Sequence, residues 1–409
     1  MVNAGTFARA DDRPGWLTMW VFWFGLVPSQ VLMAGIGLML PPMMADLHFD
    51  TVQAGTLGAI GMLATAAFSI PLNTYLSRYR TKAAIAALVG LQAALYFASA
   101  TAPDYAVLLV ARGLGVLAMM STVSLIALIQ RQWFPPSKMG TVKGLEGSVI
   151  NAGQIVVLLV TPLLMGLWGW RGALLVAGLA QTVALVAWLA LARENRAPGT
   201  GGAPAVAARE RGGFWAALRR REFLLLGLGV GSAGVPYAAY LTFWPAYATG
   251  ALGFSLEAAG TTLSLMGLGA TFSCVAAGAI SDRLGLRRPL PFLAGLALPV
   301  AYWGMLQPNA FALAIATVAA GFFGFVAMPI FLSIPFELKG IGAREVAIGA
   351  SIIIALNMAG AALGAQLAGL LAEPLGLQGA LLALCAAPLA LCLCVALCPE
   401  TGPRGRGRH

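Results

Sequence analysis

Residues 16–43 read WLTMWVFWFGLVPSQVLMAGIGLMLPPM and contain no charged side chain. A helix that crosses the hydrocarbon core of a bilayer needs about 20 mostly apolar residues. This stretch is longer than that, and it is also too long for the apolar region of a cleavable secretion signal. The polar residues that follow it lack a small-residue cleavage pattern. We therefore expect a first membrane span that remains in the protein.

The whole chain shares this apolar character. Of its 409 residues, 59% are hydrophobic and 10% are charged, whereas soluble proteins have about 25% charged residues. This composition excludes a soluble enzyme and a disordered chain. It also excludes an outer-membrane barrel, whose strands alternate apolar and polar residues. The sequence therefore predicts an all-α integral membrane protein with room for roughly a dozen spans.

Twelve apolar stretches lie six on each side of one long polar segment. That segment, residues 193–221, is predicted to be a flexible basic linker that ends in a short amphipathic helix at 213–220. It separates two halves, 16–192 and 222–398, which are flanked by tails at 1–15 and 399–409. The predicted spans, one to twelve, are 16–43, 52–76, 83–101, 105–130, 145–168, 172–192, 223–249, 257–281, 289–306, 310–336, 346–372 and 376–398.

The basic residues predict the orientation of these spans. The formal net charge is +10, and cytoplasmic loops carry an excess of Lys and Arg. With the N-terminus inside, 23 of the 25 Lys and Arg residues fall on the cytoplasmic side, and only Arg112 and Arg171 do not. We therefore expect a multi-pass protein of the inner (plasma) membrane with both termini in the cytoplasm. The positive charge needs no nucleic-acid partner to explain it.

The second half repeats the first at an offset of 205 residues. Residues 47–55 resemble 252–260, and 73–78 align with 278–283 at the same offset. Asn151 and Asn357 pair at a similar offset. Parallel repeats of this kind are related by an axis along the membrane normal, with the substrate site between them near the midplane. The sequence therefore predicts two pseudo-symmetric six-helix bundles.

The loop after span eight carries the most specific motif of the chain. It fits the pattern G-x-x-x-D-R-x-G-R-[RK], except that Leu286 replaces the first Arg after the second Gly; the matching residues are Gly278, Asp282, Arg283, Gly285, Arg287 and Arg288. With its two six-span halves and basic linker, the chain resembles the major facilitator superfamily over roughly residues 16–398. The resemblance implies a transporter that rocks its halves in alternating access, works as a monomer, takes a small-molecule substrate and needs no cofactor.

The resemblance also implies a latch at the cytoplasmic side. After span two the motif is reduced and has no acid, although Arg78 remains. In the family, the loop Asp faces a helix N-terminus, which stabilises a carboxylate by about 0.3–1 kcal/mol. We therefore predict a latch formed by Gly278, Asp282, Arg283 and Arg78, with its partner near 144–147. The alternative is a solvated loop that only sets the topology.

Arg112 and Glu146 are the charged residues placed inside predicted spans. Arg112 lies in span four, about a third of the way from the outer face, where an unpaired charge costs a few kcal/mol or more. In a functional role it helps to bind an anionic substrate or tunes a proton site. In a structural role it hydrogen-bonds backbone carbonyls or extends outward to the membrane surface. Glu146 lies at the cytoplasmic start of span five. It either couples transport to protons or pairs with Lys143 or Arg131.

The other candidate substrate-binding residues are uncharged. Tyr237, Tyr240 and Trp244 recur at i, i+3 and i+7, so they share one face of span seven and are predicted to grip the apolar part of a ligand. The alternative for each of these residues is packing against neighbouring helices. The remaining candidates are polar residues in spans one, five and eleven: Gln30, Asn151, Gln154 and Asn357.

Small residues and cysteines have structural explanations. Gly55, Gly58 and Gly61, like Gly360 and Gly364, are expected to let helices approach closely. The five cysteines lack metal-ligand spacing, and the chain has only two His, so we predict neither a metal site nor disulfides.

Two functions remain open at this stage. The first is secondary transport of a small organic anion such as a carboxylate, with possible proton symport. One buried cation, few buried acids and a span five without the G-P…G-G pattern of related antiporters favour it. The alternative is a proton-coupled efflux antiporter of drugs or hydrophobic metabolites, which the aromatic and Met-rich positions favour. A membrane enzyme or sensor is disfavoured, because the chain shows no phosphate-binding loop and no Ser-His-Asp set.

Overall fold

The computed structural model describes residues 13–195, 220–337, 343–402 and 404. Within these ranges the chain is helical and contains no β-strand, which confirms the predicted all-α class. The linker residues 196–219, including most of the predicted amphipathic helix, lie outside the described part. The helices are α1 (Arg13–Ser29), α2 (Ile36–Leu47), α3 (Thr51–Leu76), α4 (Thr81–Ala100), α5 (Tyr105–Trp133), α6 (Pro136–Leu191), α7 (Arg221–Gly250), α8 (Leu256–Leu284), α9 (Pro289–Gly304), α10 (Ala310–Glu337), α11 (Ala343–Leu384) and α12 (Leu389–Leu397), with a 3-10 turn Gln30–Leu32 between α1 and α2.

The long helices contain more than one span each. Eight stretches of the described chain are long and apolar enough to cross a membrane, and α1 with α2, bent by 43°, makes a ninth. Two of the eight, Thr141–Leu191 and Ile348–Leu397, have 51 and 50 residues. At 1.5 Å per residue each is about 75 Å long, more than twice the hydrocarbon thickness of about 30 Å. Each turns at a glycine in the left-handed region, Gly169 or Gly376. With the shorter α9, these lengths are consistent with the predicted twelve spans.

Acidic residues cap the N-termini of two helices at one end of the molecule. This end carries residues 48–50, 101–104 and 251–255, and we call it the opposite end because it lies across the molecule from the end that is rich in basic residues. The Asp50 side chain accepts a hydrogen bond from the backbone N–H of Gln53 at 2.7 Å, and Gln53 Oε1 in turn accepts one from the backbone N–H of Asp50 at 3.0 Å. Asp104 accepts from Val107 N–H at 3.0 Å. These caps satisfy N–H groups that have no partner within the helix. The loop acids therefore fix where spans begin.

The two halves pack closely at the opposite end through glycines. A Cβ on Gly37 of span one would lie 2.1 Å from the Leu241 carbonyl oxygen of span seven. A Cβ on Gly260 of span eight would lie 2.3 Å from the Leu158 oxygen of span five. A Cβ on Gly55 of span two would lie 2.8 Å from the Ala365 carbonyl oxygen of span eleven. Backbones approach this closely only where side chains are absent, so the predicted structural role of the small residues fits these contacts.

The same interfaces open toward the other end, which carries residues 77–80, 192–195 and 285–288 and is here called the basic end. One face of span five packs against span eight through Leu158 and Asn151. Gly147 and Gly144 follow on the same face at helical spacing. A Cβ on either glycine would meet nothing within 4 Å, and the same is true of Gly278 on span eight. In the described part of the chain, the halves are therefore in contact at the opposite end and separated at the basic end.

Two carboxylates accept hydrogen bonds from backbone N–H groups at equivalent helix N-termini at the basic end. We call each of these contacts a clasp. Glu194, after span six, accepts the backbone N–H of Lys82 at the start of α4 at 2.5 Å. Glu400, after span twelve, accepts the backbone N–H groups of Arg287 and Arg288 at the start of α9, at 2.7 and 3.1 Å. The two acids are 206 residues apart, so the clasps follow the internal repeat seen in the sequence.

Substitution of Glu400 by glutamine should lower the melting temperature of the detergent-purified protein. A carboxylate that accepts two N–H groups at a helix N-terminus stabilises the fold by about 1–3 kcal/mol. Thermal unfolding of Glu400→Gln beside Glu373→Gln, an exposed acid at the opposite end, measures this contribution. Equal melting temperatures in the two variants would mean that the clasp carries no stability.

Candidate functional site

Two polar side chains from different halves meet near the middle of the molecule, and a third packs beside them on span five. The Tyr237 hydroxyl of span seven donates a hydrogen bond to Gln154 Oε1 of span five at 3.2 Å. Gln30 of span one packs on span five, since a Cβ on Gly153 would lie 3.2 Å from its Cγ. Gln30 and Gln154 are 3% and 6% exposed. We call Gln30, Gln154 and Tyr237 the midplane cluster; it brings together three of the predicted site residues.

Two amide groups of the midplane cluster have no hydrogen-bond partner among the described residues. Gln30 Nε2 and Gln154 Nε2 are buried and unpaired. A buried donor without a partner costs about 1–3 kcal/mol, and such groups in a native protein call for an explanation such as a bound ligand or water. The two amides therefore offer up to four N–H donors to a group that carries acceptors.

A break in span one positions Gln30. Helix α1 ends at Ser29, a 3-10 turn covers Gln30–Leu32, and α2 starts at Ile36. Pro28 lies one residue before the break and has no N–H to continue the α-helical pattern. The break frees backbone carbonyls inside the membrane, and these need donors from other helices.

Arg112 and Tyr96 supply those donors. Arg112 Nη1 donates to the Leu32 carbonyl oxygen and Nε to the Leu57 oxygen, both at 2.5 Å. The Tyr96 hydroxyl donates to the Pro28 oxygen at 2.6 Å. Arg112 is 3% exposed. These contacts match the carbonyl-binding alternative for Arg112, and they do not bring Arg112 into the midplane cluster.

Asn151 and Asn357 lie where the halves begin to separate. Asn151 Nδ2 is 3.8 Å from Cys274 Sγ of span eight, and Cys274 is exposed. Asn357 is partly exposed, and its Oδ1 lies 3.2 Å from the position of a Cβ on Gly234 of span seven. The two residues are therefore placed at the edge of the opening, next to the midplane cluster rather than within it.

Tyr240 and Trp244 face the interior of the second half. The Tyr240 hydroxyl donates to the Tyr302 carbonyl oxygen at 2.9 Å, and Trp244 Nε1 donates to the Met305 oxygen at 2.7 Å. Both side chains are fully buried. They satisfy carbonyls at the end of the short helix α9, which lack partners within the helix. The three residues of the predicted aromatic face therefore have different surroundings. Tyr237 faces the first half of the protein, whereas Tyr240 and Trp244 pack inside the second half.

Glu146 has two partners at the basic end of span five. Lys143 Nζ lies 2.7 Å from its Oε1, and Gln130 Nε2 donates to its Oε2 at 2.5 Å. Glu146 is 4% exposed. The pairing with Lys143 is the alternative considered beside proton coupling, and it neutralises the carboxylate in this conformation.

Three of the four predicted latch residues are exposed or face open space. Arg283 and Arg78 are exposed, and Gly278 faces open space. The side chain of Asp282 lies outside the described residues, so the latch stays a prediction. The neighbouring Arg287 instead pairs with Glu337 at the end of span ten, with Nη2 2.6 Å from Oε1.

The sequence analysis missed two groups of interacting residues. One is the Arg287–Glu337–Glu400 cluster at the basic end, whose acids lie far apart in the sequence. The other is a buried polar network inside the first half. Its glutamines were visible as isolated polar residues in apolar spans, which is the signal that finds such networks. The network consists of Ser29, Gln92, Thr122 and Gln181.

Comparison with known proteins settles the family. The family model described as the Major Facilitator Superfamily matches residues 22–354. The chain belongs to the major facilitator superfamily. Among curated proteins, a sequence search finds no match.

Solved structures share the fold of this superfamily member. The nucleoside transporter NupG has a TM-score of 0.76 at 15% identity and covers 95% of this chain and 98% of its own. A bacterial homologue of the human lysosomal transporter Spinster, described as inward-facing and unoccupied, has a TM-score of 0.73 at 17% identity and covers 95% of each chain. Identities this low support the fold alone. The family match, by contrast, makes the protein a multi-pass membrane transporter for a small-molecule substrate.

Proposed function

We propose that this transporter carries a small, uncharged polar solute, bound between its halves by the midplane cluster. The observation that carries this proposal is the pair of buried, unpaired amide donors, Gln30 Nε2 and Gln154 Nε2. No member of the cluster is charged. Hydroxyl, carbonyl or ring-nitrogen acceptors of a neutral solute would satisfy both amides without placing a net charge in the membrane.

The position of Arg112 supports a neutral solute rather than an anion. The prediction of an organic anion as substrate assumed that Arg112 binds it. In the structure the Arg112 guanidinium instead donates to the Leu32 and Leu57 carbonyls. Moving it onto a substrate would take this donor from the Leu32 carbonyl at the break in span one, at about 1–3 kcal/mol. It would also lose the second hydrogen bond, to Leu57, although that carbonyl keeps its partner within α3. A carboxylate at the midplane cluster would have neutral donors only. These two costs favour the uncharged solute over the anion.

An aromatic pair beside the cluster favours a solute with an apolar or ring-shaped part. The ring of Tyr237 lies edge-to-face on that of Phe325 in span ten, with centroids 5.6 Å apart. Aromatic rings pack well against the rings and apolar faces of ligands. Nucleosides combine a ring with several neutral acceptors, and NupG is a nucleoside transporter by its title, so they make a suitable first probe class.

Alternating access supplies the mechanism. The halves are closed at the opposite end and separated at the basic end, which the positive-inside rule places in the cytoplasm. Rocking the halves about the midplane cluster would expose the cluster to the other side. Proton symport through Glu146 stays a prediction, and it requires Glu146 to leave Lys143 during the cycle.

Counterflow in proteoliposomes tests the proposed substrate class. Vesicles with wild type, Gln154→Leu or the control Gln307→Leu, a loop glutamine near the opposite end, would be offered neutral nucleosides, carboxylates and hydrophobic cations. We expect neutral solutes to exchange, with an affinity about tenfold lower in Gln154→Leu because a charge-free hydrogen-bonding group is lost, and unchanged in the control. Exchange of carboxylates alone would contradict the proposal and support the organic-anion prediction. Exchange of hydrophobic cations alone would support efflux.

A further inference from the structure

Two tyrosines form an exposed pair where span two ends at the basic end. Tyr75 lies one residue before the end of α3 at Leu76, and Tyr79 follows four residues after Tyr75. Their hydroxyl oxygens are 2.8 Å apart, and their ring centroids are 5.4 Å apart. The two residues are 53% and 52% exposed. Tyrosines are frequent where a bilayer meets water, so the pair lies at the level of the lipid headgroups.

Arg78 lies beside this pair and has no partner of its own. It is exposed, and it makes no hydrogen bond or ion pair with the described residues. The pKa of the Tyr79 hydroxyl is raised, chiefly by its hydrogen bond with Tyr75, and the charge of Arg78 opposes that rise. The guanidinium therefore lies near the two hydroxyls. We call Tyr75, Arg78 and Tyr79 the tyrosine–arginine patch.

The tyrosine–arginine patch has hydrogen-bond donors that no described residue accepts. One tyrosine hydroxyl donates to the other, so the second keeps its own hydrogen, and a guanidinium carries five N–H donors. The sequence has no acidic residue between Asp50 and Asp104. Glu194, after span six, is buried and accepts the backbone N–H of Lys82. The patch therefore suits a ligand with negative charge and several acceptor oxygens.

The second half lacks this patch, although it repeats the first half. At the offset of 205 residues, the two tyrosines are replaced by Ile280 and Leu284, which have no hydroxyl. The arginine is kept as Arg283, but Asp282 directly precedes it in the sequence. A carboxylate next to a cation opposes the binding of an anion. The patch is therefore a feature of the first half, and Arg283 supplies a matched control.

We propose that the tyrosine–arginine patch binds the headgroup of an anionic phospholipid. The positive-inside rule places the basic end in the cytoplasm, and cytoplasmic leaflets carry anionic lipids that attract Lys and Arg. The phosphate oxygens of a lipid are strong acceptors for a guanidinium and a hydroxyl.

An apolar surface next to the patch favours a lipid over a soluble phosphate. Phe68 lies seven residues before Tyr75, so both project from the same face of α3. Phe68 is 59% exposed, and it offers a contact for acyl chains below the headgroup. The inference concerns a lipid partner, so it does not depend on which solute the protein transports.

Native mass spectrometry of the detergent-purified protein, titrated with phosphatidylglycerol, tests the inference. We expect Arg78→Gln to weaken phosphatidylglycerol binding about fivefold, the contribution of one Lys or Arg near a membrane surface. The double variant Tyr75→Phe with Tyr79→Phe keeps the rings and loses the hydroxyls, and it should weaken binding about threefold. Arg283→Gln removes the equivalent charge of the second half and should leave binding unchanged. Phosphatidylcholine should bind the wild type more weakly than phosphatidylglycerol does.

Four other outcomes would overturn the inference. Equal weakening in Arg78→Gln and Arg283→Gln would mean that the lipid follows only the overall positive charge. Unchanged binding in the tyrosine double variant would mean that the hydroxyls take no part. Equal affinity for phosphatidylcholine would mean that the headgroup charge is not recognised. Displacement of the lipid by an equal concentration of glycerol phosphate would indicate a site for a soluble anion. The melting temperature of each lipid-free variant controls for unfolding.

Discussion

Substitution of Gly260 by alanine should shift the protein away from the conformation described here. The added Cβ would lie 2.3 Å from the Leu158 carbonyl oxygen, and a backbone oxygen in a packed helix cannot move aside cheaply. Overpacking of this kind costs about 1–3 kcal/mol, which changes a conformational equilibrium by roughly 5- to 150-fold. The contact exists only while the opposite end is closed, so the substitution favours the state in which that end is open.

The accessibility of Cys274 reports this shift. Cys274 is exposed beside the opening at the basic end, whereas Cys385, Cys392, Cys394 and Cys398 are buried. With the four buried cysteines replaced by serine, a membrane-impermeant maleimide applied to the basic end should label Cys274 more slowly in Gly260→Ala than in wild type. Gly324→Ala is the matched control, since its Cβ would meet nothing within 4 Å. Equal labelling rates in both glycine variants would refute the packing argument.

Loss of Arg112 should destabilise the protein before any substrate is added. In Arg112→Leu, both hydrogen bonds of the guanidinium are lost. The Leu57 carbonyl keeps its partner within α3, but the Leu32 carbonyl at the break loses its donor, and a buried acceptor left unsatisfied costs about 1–3 kcal/mol. We therefore expect a clear fall in the melting temperature of the ligand-free protein. Arg131→Leu removes a charge from an exposed position at the end of the same helix, and it should change the melting temperature little.

The substrate-anchor alternative predicts a different pattern for Arg112. A buried guanidinium that has no partner until an anion binds destabilises the ligand-free protein. In that case Arg112→Leu would leave the ligand-free melting temperature unchanged or raise it. Only the stabilisation by added carboxylates would then be lost. The ligand-free measurement therefore separates the two roles without knowledge of the substrate.

The sequence predicted the fold because the relevant signals are local. Long charge-free stretches such as 16–43 determine spans, and the motif from Gly278 to Arg288 identifies the superfamily. The offset of 205 residues predicted a pseudo-symmetric pair of halves. The paired clasps of Glu194 and Glu400 follow that offset, although no local pattern marked either acid as a partner of a helix start.

The site was harder to predict because it depends on which side of each helix faces the other half. The spacing of Tyr237, Tyr240 and Trp244 correctly places them near one another on span seven. It does not predict that Tyr240 and Trp244 donate hydrogen bonds to backbone carbonyls at the end of α9. Arg112 raised the same difficulty: its burial is visible in the sequence, but the break in span one that supplies its carbonyl partner appears only in the folded chain. Gln30 and Gln154 were found because amides are rare in apolar spans.

The most direct test of the central claim, an uncharged site between the halves, is ligand stabilisation of the purified wild-type protein. A thermal-shift panel would contain nucleosides and other neutral polar solutes, small carboxylates, amines and hydrophobic cations. A ligand at about 100 times its dissociation constant stabilises a protein by roughly 2.7 kcal/mol, which such a measurement detects. We predict stabilisation by neutral polar solutes that is lost in Gln154→Leu. Stabilisation by carboxylates alone, retained in Gln154→Leu and lost in Arg112→Leu, would contradict the account.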